Sequence, residues 1–387
     1  MRLAGRRPTW VEVDLDAIAS NFRSIRSRIG RQRKILCVVK ADAYGHGAVP
    51  VSHRLEMEGA DHFGVAMVEE GIELRRAGIR KPILVLGAFT PDQIPLMVEM
   101  SLTPTVYSTA TLSAVLEVGR RLQRPIPFHL KVDTGMGRLG FPPAELGPAL
   151  DRIAALQTPV LEGVLTTLSN GEQADSPITM VQMRVFTRAL EEIRHRGLKP
   201  SCVHVSNSGG VLTAPAAWFD MVRPGLALYG LKPGDGPSEE GLTPALSLRT
   251  RIVLLKTVPP ETPIGYGGAF RSVRESCIAT IACGYDDGVN RLLHEGGAVL
   301  VRGRRASFAG RISMDLATVD VTDIPDASEG DQVTVIGRQG DEVISAWDLA
   351  GLCRTIPYEI LCGIGTRVPR IYLGEGAPRP LRSRFDP

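Results

Sequence analysis

The sequence has no apolar run long enough to cross a membrane, and Pro8, not an apolar segment, follows its N-terminal arginines. We therefore expect a soluble protein that stays in the cytoplasm and has no membrane partner. The formal net charge is only +3, and the basic residues are scattered along the chain and form no stripe. This charge pattern argues against a nucleic-acid partner.

The cysteines and histidines lack the spacing that is typical of metal ligands. The cysteines form no Cys-x-x-Cys pair and mostly lie inside apolar runs, at Cys37, Cys202, Cys277, Cys283, Cys353 and Cys362. This pattern predicts buried free thiols in a reducing compartment, with zinc or disulfides as less favoured alternatives. The seven histidines give no metal-ligand spacing either, so we expect no metal.

The length of 387 residues exceeds the usual limit for one core and predicts two domains. From residue 14 to about 230, short apolar runs alternate with longer amphipathic runs, as strands alternate with helices. The predicted strands are Ile35 to Val39, His62 to Ala66, Ile83 to Leu86, Pro104 to Val106, Pro127 to Val132, Leu161 to Leu165, Cys202 to Val205 and Leu226 to Tyr229. Eight parallel strands favour an α/β architecture, a closed (β/α)8 TIM-like barrel over residues 12–235.

The remainder of the chain has a different pattern. Residues 233–244 are rich in Gly, Pro, Ser and Glu and are interpreted as a linker. Short β-branched runs separated by glycine turns then follow, at Arg251 to Val258, Cys277 to Ala282, Ala298 to Val301, Leu316 to Val321 and Gln332 to Ile336. These runs predict a mainly antiparallel β domain over residues 236–387, with which an N-terminal strand within residues 1–11 could pack.

One short string carries the strongest chemical signal. The apolar run Ile35 to Val39 leads directly into Lys40, and Tyr44 follows in a glycine-containing turn. The C-terminal end of a barrel strand is where this fold places catalytic groups. A lysine partly desolvated there can lose its proton near neutral pH and attach covalently to an aldehyde cofactor. A solvated surface lysine is the ordinary alternative.

The string VVKADAYGHG, residues 38–47, closely resembles the cofactor-lysine motif of the bacterial alanine racemases, which are pyridoxal-phosphate enzymes built on a barrel. Further matches run in order from Trp10 to about Val368. The resemblance implies a cytoplasmic isomerase that interconverts L-alanine and D-alanine by two-base exchange of the α-proton. It also implies pyridoxal 5'-phosphate as the cofactor and a role in supplying D-alanine as a peptidoglycan precursor.

The resemblance implies which residues hold the cofactor. Lys40 would carry the aldehyde, and Arg223 would face the pyridine nitrogen, which stays unprotonated beside a guanidinium. Barrels commonly bind phosphate in the loops after strands seven and eight, where Ser208 and Gly225 lie. With the family's further donors included, the phosphate residues would be Tyr44, Ser208, Gly225, Leu226 and Tyr358.

The resemblance also assigns the proton-transfer residues. Racemisation needs a base and an acid on opposite faces of a planar carbanion, or one base that reaches both. Lys40 would serve one face, and Tyr266, in the loop Gly265-Tyr266-Gly267-Gly268, would serve the other. In this family the tyrosine enters the partner subunit's site, so the resemblance implies a homodimer.

Three residues would contact the substrate amino acid. Arg138 would orient its carboxylate, the Met314 backbone amide would donate to that carboxylate, and Tyr285 would lie at the pocket entrance. Asp315 follows Met314 in the same motif and is expected to support it. Lys131 has two readings that the sequence leaves open: a carbamate that bridges to Arg138, or an ammonium paired with an acid.

One segment departs from the family pattern. After strand six the family has Thr-His, whereas this chain has Thr166-Thr167. The family histidine packs against the pyridine ring, while threonine offers one hydroxyl and no titratable nitrogen. Thr167 is therefore either a tolerated variation or a sign of broader or different specificity, for example towards serine.

Two other functions compete with racemisation. A barrel decarboxylase of basic or diamino acids uses a similar lysine strand, but its glycine-rich phosphate loop and cysteine-bearing partner loop are not recognisable in this sequence. A non-catalytic pyridoxal-phosphate-binding protein of the same barrel type lacks the β domain. The motifs around Tyr266 and Met314 therefore count against that second alternative.

Overall fold

The computed structural model describes residues 7–156, 160–234 and 241–377. The linker expected over residues 233–244 and the strand expected within residues 1–11 lie partly outside this range. The chain divides into two compact units. One comprises residues 17–43 and 51–243, and the other comprises the described residues of 1–16, 44–50 and 244–387.

The strands are β1 (Trp10–Asp14), β2 (Lys34–Val38), β3 (His62–Val65), β4 (Ile83–Val85), β5 (Leu102–Val106), β6 (Phe128–Lys131), β7 (Leu161–Leu165), β8 (Cys202–His204), β9 (Met221–Val222), β10 (Leu246–Val258), β11 (Pro263–Ile264), β12 (Phe270–Arg271), β13 (Ser276–Ile281), β14 (Ala298–Val301), β15 (Arg304–Ser307), β16 (Ala317–Asp320), β17 (Gln332–Gln339), β18 (Glu342–Ile344) and β19 (Arg370–Leu373). The helices are α1 (Leu15–Ile29), α2 (Lys40–Gly45), α3 (Ala48–Met57), α4 (Val68–Arg76), α5 (Ile94–Glu99), α6 (Thr109–Arg121), α7 (Pro143–Ala154), α8 (Pro177–His195), α9 (Ser208–Thr213), α10 (Ala346–Leu352) and α11 (Pro357–Cys362).

The first unit is a parallel barrel. Its eight described strands run in the order β8, β7, β6, β5, β4, β3, β2, β9. The ring closes between β8 and β9, where the Asp220 N–H donates to the Val203 carbonyl at 3.0 Å. Continuous apolar strands of this kind are buried on both faces, as the parallel arrangement requires. The site residues that follow these strands therefore share the C-terminal end of the barrel.

Two helices begin at residues that are typical of helix starts. Helix α1 begins at Leu15, directly after Asp14, and α8 begins at Pro177. The Ser176 hydroxyl accepts the Thr179 N–H at 3.1 Å, which satisfies one of the backbone donors that a helix start leaves unpaired. Helix α8 buries Phe186, Leu190 and Ile193 along one side, as an amphipathic cover helix does.

The eighth strand lies earlier in the chain than the sequence predicted. Strand β9 pairs in parallel with β2, and the predicted strand Leu226–Tyr229 is a 3-10 turn. Four consecutive apolar residues suit either a buried strand or a buried helical turn, so hydrophobicity could not decide between them. Pro224 lacks an N–H for the ladder and ends the strand, and Gly230, at φ 82°, closes the turn.

The second unit is built on an antiparallel sheet. Its main path runs β15, β14, β17, β10, β1, β19, and β13, β16 and β18 attach beside it. The long strand β10 pairs with β1, β13 and β17, while β1 and β19 pair in parallel. The predicted architecture, a barrel followed by a mainly antiparallel β domain, is thus confirmed.

Within the described residues, no helix combines the length and the apolar character needed to cross a membrane. All six cysteines are free thiols. Cys37, Cys202, Cys283 and Cys353 are buried, Cys277 is half-buried and Cys362 is exposed. Burial raises the pKa of the Cys202 thiol to about 12, so this thiol stays protonated at neutral pH.

A buried amide joins the first helix to the end of the barrel chain. Asn21, on α1, is fully buried, and its Nδ2 donates to the Leu228 and Thr243 carbonyls at 3.0 and 2.9 Å. Its Oδ1 accepts the Thr243 N–H at 2.8 Å. One side chain thus satisfies three backbone groups that would otherwise be buried without partners.

We expect Asn21→Leu to lower the free energy of unfolding by about 3 kcal/mol, because it leaves buried backbone groups unpaired. Asn21→Asp should also destabilise, because a carboxylate would face two carbonyl oxygens. Urea denaturation of the purified protein measures both effects. Ser27→Ala, at an exposed position on the same helix, is the matched control, and equal stability of Asn21→Leu and Ser27→Ala would contradict the role of Asn21.

Candidate active site

Lys40 lies two residues after the end of the barrel strand β2 and begins a turn of unusual handedness. The four residues after it, Ala41, Asp42, Ala43 and Tyr44, have φ angles of 51°, 51°, 54° and 53°. Helix α2 is therefore a left-handed helical turn, a conformation that costs L-residues about 1–2 kcal/mol each. Consecutive strain of this kind persists only where surrounding contacts hold it, and it is typical of functional sites.

Glu70 is one of the residues that hold this turn. Its Oε1 accepts the Ala41 N–H at 2.7 Å. Its Oε2 accepts the N–H groups of Ala66 and Met67 at 2.7 and 3.1 Å. Ala66 and Met67 directly follow β3, so one carboxylate ties the ends of two neighbouring strands together and fixes the residue next to Lys40.

Lys131, the last residue of β6, is buried among other cations. Burial first, then Arg223, Arg138 and Lys40, lower its pKa to about 8, against a smaller opposite effect of Asp133. Asp133 is the carboxylate whose charge acts on Lys131, and its effect on the pKa is smaller than those of burial, Arg223 and Arg138. The cluster of Lys40, Lys131, Arg138 and Arg223 thus leaves a surplus of positive charge at the end of the barrel.

The loop after β6 is organised by Asp133. Its Oδ1 accepts the N–H groups of Gly135, Met136 and Gly137 at 2.9 to 3.1 Å. These bonds, together with Lys131, lower the pKa of Asp133. Arg138 follows this turn at an exposed position, where a guanidinium can meet a ligand carboxylate.

Arg223 is a buried guanidinium, only 5% exposed, at the end of β9. Its Nη2 donates to the Thr166 and Val205 carbonyls at 2.7 and 3.0 Å, and its Nη1 makes a 3.0 Å bond to His204 Nδ1. Burial lowers the pKa of Arg223 to about 10, which still leaves it charged at neutral pH. Three of its five N–H groups are engaged, and the others are available to a ligand.

Three of the predicted phosphate residues, Ser208, Gly225 and Leu226, lie together in the loops after β8 and β9. Ser208 is buried, and its hydroxyl oxygen accepts the N–H groups of Gly225 and Ala227 at 2.9 and 3.2 Å. Because this oxygen accepts twice, the hydroxyl proton is its remaining donor for an anion. Leu226 is also fully buried at the start of the 3-10 turn.

Thr167 contributes its main chain to a polar cluster beside Arg223. The fully buried Gln182 donates to the Thr167 carbonyl at 3.0 Å and to the Thr134 hydroxyl at 3.2 Å. Thr134 in turn shares a 2.8 Å hydrogen bond with Thr166. Gln182 therefore fixes the backbone at Thr167, whose side chain is half-buried.

Two tyrosines predicted as phosphate residues meet in the second unit. Tyr44 is buried, and its ring contacts the ring of Tyr358 edge to face, with centroids 5.5 Å apart. Tyr358 lies in the first turn of α11. Such aromatic pairs are favourable beyond the area that they bury, so each ring restrains the other.

Tyr266 stands at the tip of the hairpin formed by β11 and β12. The flanking Gly265, Gly267 and Gly268 have φ angles of 72°, 68° and 56°, which side chains rarely adopt. A Cβ on Gly265 would also come within 3.2 Å of the Arg311 backbone nitrogen. The glycines thus give the tip its shape and leave the Tyr266 side chain 70% exposed.

Arg367 joins the two motifs that contain Tyr285, Met314 and Asp315. It makes ion pairs of 2.7 to 2.8 Å with Asp286, Asp287 and Asp315. The Tyr285 N–H donates to the Ser313 carbonyl at 3.0 Å, and the Asp286 N–H donates to the Met314 carbonyl at 3.1 Å. Tyr285, Met314 and Asp315 are therefore held in one neighbourhood of the second unit.

The sequence did not point to five residues that organise these groups: Glu70, His129, His204, Gln182 and Arg367. Their partners lie on other elements, so no local spacing reveals them. The only available signal was a histidine within each of two barrel strands, β6 and β8. Buried histidines are more often structural than chemical, and this signal carried little weight.

The chain matches models of one known family along most of its length. The model described as alanine racemase, N-terminal domain, matches residues 13–233. The model described as alanine racemase, C-terminal domain, matches residues 245–372. The alanine racemase of Symbiobacterium thermophilum is 44% identical over 378 residues, covering 97% of this chain and 100% of the relative.

Solved structures of similar proteins agree with these matches. Alanine racemase from Bacillus anthracis with bound L-Ala-P has a TM-score of 0.87 and 38% identity, over 96% of each chain. Alanine racemase from Bartonella henselae with covalently bound pyridoxal phosphate has a TM-score of 0.86 and 30% identity. That alignment covers 95% of this chain and 99% of the other.

We expect Ala41→Gly to preserve or slightly raise the free energy of unfolding, because glycine adopts a left-handed φ without strain. Ala41→Val should lower it by about 1–2 kcal/mol, because a β-branched side chain tolerates this conformation least. Both variants keep the N–H that Glu70 accepts. Urea denaturation gives the values.

Ala114, a half-buried residue in the right-handed helix α6, provides the control for these variants. Ala114→Gly should destabilise by about 1 kcal/mol, because glycine weakens a right-handed helix. If Ala41→Gly lost as much stability as Ala114→Gly, the left-handed geometry after Lys40 would be wrong.

Two buried histidines predict a loss of stability in mild acid. Burial, followed by His62 and Arg223, lowers the pKa of His129 to about 3, and burial lowers the pKa of His204. Below pH 6.5 these histidines bind protons in the unfolded chain but not in the folded protein. The free energy of unfolding therefore falls as the pH falls. For His129 the loss between pH 7.5 and pH 5 should be about 2 kcal/mol.

Urea denaturation at pH 7.5, 6 and 5 measures this loss. The variant His129→Asn should show a smaller decrease than the wild type, whereas His195→Asn, at an exposed position, should show the same decrease. Identical pH dependence in the wild type and in His129→Asn would mean that His129 is not held neutral by the fold.

Proposed function

The chain belongs to the alanine racemase family, whose members are isomerases that interconvert L-alanine and D-alanine, and we propose which of its residues carry out each step of that reaction. The observation that carries the assignment is the cationic cluster of Lys40, Lys131, Arg138 and Arg223 at the end of the barrel. Lysine and arginine groups with almost no acid among them suit an anionic cofactor and an amino-acid carboxylate. We assign the cofactor to a barrel domain of residues 12–235, followed by a β domain of residues 236–387.

The donor set fits pyridoxal 5'-phosphate, the cofactor on which the family depends. When bound, this cofactor supplies the electron sink that makes the α-proton of an amino acid acidic. Lys40 would hold its aldehyde carbon, and Arg223 would donate to its pyridine nitrogen. The phosphate would be held by Tyr44, Ser208, Gly225, Leu226 and Tyr358. The covalently bound pyridoxal phosphate in the Bartonella henselae relative supports this fit.

Proton transfer would use Lys40 and Tyr266. Lys40 would take the α-proton of one enantiomer, and the Tyr266 phenol would take that of the other, so each acts as base in one direction and as acid in the reverse. Tyr266 would act in the site of a partner protomer in a homodimer. Its position at the exposed tip of a glycine hairpin supports this arrangement, because a partner can cover it.

The substrate carboxylate would be bound by Arg138 and by the Met314 N–H. The bound L-Ala-P of the Bacillus anthracis relative supports an alanine-like ligand. Tyr285 would line the entrance, and Asp315 would keep Met314 in place through Arg367. Lys131 would support Arg138, and its lowered pKa raises the fraction of neutral amine, which can add CO₂ and release a proton to form a carbamate.

Two broader assignments stay predictions: a cytoplasmic location and the supply of D-alanine as a peptidoglycan precursor. The small half-buried side chain of Thr167 favours a second candidate substrate, since it takes less room than an imidazole. We therefore include serine, which carries one hydroxyl more than alanine.

The test is incubation of the purified holoenzyme with L-alanine in D₂O, followed by chiral separation and mass detection. We expect D-alanine that carries deuterium at the α-position. L-serine assayed in parallel measures the breadth of specificity. Cofactor that stays bound while neither amino acid exchanges its α-proton would contradict the racemase assignment.

Variants in the same assay separate the proposed bases. Lys40→Ala should abolish exchange of both enantiomers, and Tyr266→Phe should impair α-proton abstraction from the L-enantiomer selectively. The matched control is Tyr107→Phe, because the Tyr107 hydroxyl exchanges hydrogen bonds with the backbone of Phe89 within the barrel unit. If Tyr266→Phe behaved like Tyr107→Phe, another acid would have to serve that face.

A further inference from the structure

We propose that His129 is a positioning residue for Arg223 and acts through His204, so that a directed chain of hydrogen bonds inside the barrel holds the guanidinium in place. The inference rests on the proposed role of Arg223 at the cofactor. It concerns residues that none of the predicted site assignments included.

The chain of contacts is continuous and buried. Arg223 Nη1 lies 3.0 Å from His204 Nδ1, and His204 Nε2 lies 2.8 Å from His129 Nδ1. The imidazoles of His129 and His204 are buried, and their rings meet edge to face with centroids 4.9 Å apart. His129 Nε2 lies 3.8 Å from Glu162 Oε2, beyond hydrogen-bond length, in the direction of solvent.

The path runs through the barrel from one end towards the other. Arg223 follows β9 and His204 is the last residue of β8, at the catalytic end of the strands. His129 and Glu162 are the second residues of β6 and β7, near the start of their strands. The series of hydrogen bonds therefore runs from the cationic cluster towards Glu162, a half-exposed carboxylate at the N-terminal end of the barrel.

Arg223 sets the direction of every bond in this chain. A guanidinium donates and cannot accept, so His204 Nδ1 must be the acceptor of its N–H. His204 must then carry its proton on Nε2 and donate it to His129 Nδ1. His129 must in turn carry its proton on Nε2, directed towards Glu162. The same side chains in any other tautomer would bring two N–H groups together.

The electrostatic surroundings favour these neutral tautomers. Burial is the first cause of the lowered pKa of both histidines, and the charge of Arg223 contributes in each. A second proton on either ring would place an N–H opposite another N–H at one of the two short contacts. Both rings therefore stay neutral, each with a single proton.

His129 positions Arg223 by fixing the tautomer of His204. If the acceptor at His129 Nδ1 were removed, His204 would lose the partner of its Nε2–H and could place its proton on Nδ1 instead. That proton would face the Arg223 Nη1–H. The guanidinium would then be held only by the Thr166 and Val205 carbonyls, both on Nη2, and could pivot about that end.

A separate observation shows that the barrel is built to admit the His129 ring. Gly163, on β7, pairs with His129 of β6. A Cβ on Gly163 would lie 2.4 Å from His129 Nδ1 and 2.5 Å from its Cε1. Even a methyl group here would displace the ring, so the missing side chain leaves the space that the imidazole occupies.

The test compares two substitutions of His129. Asparagine places its Oδ1 close to the former Nδ1 and can accept the His204 N–H, whereas leucine cannot. The first measurement is the ¹⁵N spectrum of histidine-labelled holoenzyme. We expect an unprotonated His204 Nδ1 in the wild type and in His129→Asn, and a change of this signal in His129→Leu.

The second measurement is the steady-state rate of racemisation. We expect His129→Leu to lower kcat roughly tenfold with little change in KM, and His129→Asn to stay near the wild type. If the leucine variant fails to fold, His129→Gln replaces it. The glutamine amide lies one bond further from the backbone than the former Nδ1, so this variant should have the same lowered kcat as His129→Leu. Gly163→Ala should shift the same nitrogen signal by displacing the ring.

The inference is overturned if His129→Leu keeps the wild-type His204 signal and kcat, or if His129→Asn is as defective as His129→Leu. Its failure is distinguishable from failure of the proposed function. A wild-type protein that binds pyridoxal phosphate but racemises nothing contradicts the function. The nitrogen spectrum of that protein still reports whether His129 fixes the His204 tautomer.

Discussion

The burial of a permanent positive charge is the constraint on which much of the barrel depends. Arg223 is 5% exposed, and its guanidinium cannot shed its proton to escape the cost of desolvation. Its surroundings supply acceptors instead, namely two carbonyls and the imidazole of His204. Burial is the largest cause of the lowered pKa values of Lys131, His129 and His204, and the charge of Arg223 lowers each of them further. One residue thus contributes to the protonation states of three neighbours.

The second unit meets a different requirement, since four of its predicted site residues lie on loops between strands: Tyr266, Tyr285, Met314 and Asp315. Loops need restraints that strand pairing does not provide. Arg367 restrains one set of loops through ion pairs with three carboxylates. The glycines around Tyr266 restrain another loop through backbone conformations that other residues rarely adopt. Rigid loops allow polar groups such as the Met314 amide to be held ready for a ligand.

Much of the architecture was predictable, because alternating apolar and amphipathic runs and clear helix starts are local signals. Seven of the eight predicted barrel strands lie where the sequence placed them. The eighth prediction was wrong because an apolar run such as Leu226–Tyr229 fits a buried strand and a buried helical turn equally well. Lys40 and Ser208 follow strands that the sequence predicted, whereas the place of Arg223 after β9 was not predicted. Glu70, His129 and Gln182 were not predictable, because their roles depend on partners that only the closed barrel brings near. The handedness of the turn after Lys40 was equally hidden, since alanine and aspartate at these positions favour no left-handed helix.

That turn has a stereochemical consequence. Residues 41–44 adopt φ angles near +50°, the mirror image of an ordinary helix. A right-handed helix suits L-residues, so its mirror image suits D-residues equally well. The segment that leads away from Lys40 is therefore an L-peptide in the backbone conformation preferred by D-alanine, one of the two compounds that the enzyme family interconverts. A chemically synthesised chain with D-alanine at positions 41 and 43 would enter this turn without the strain that the natural chain must offset.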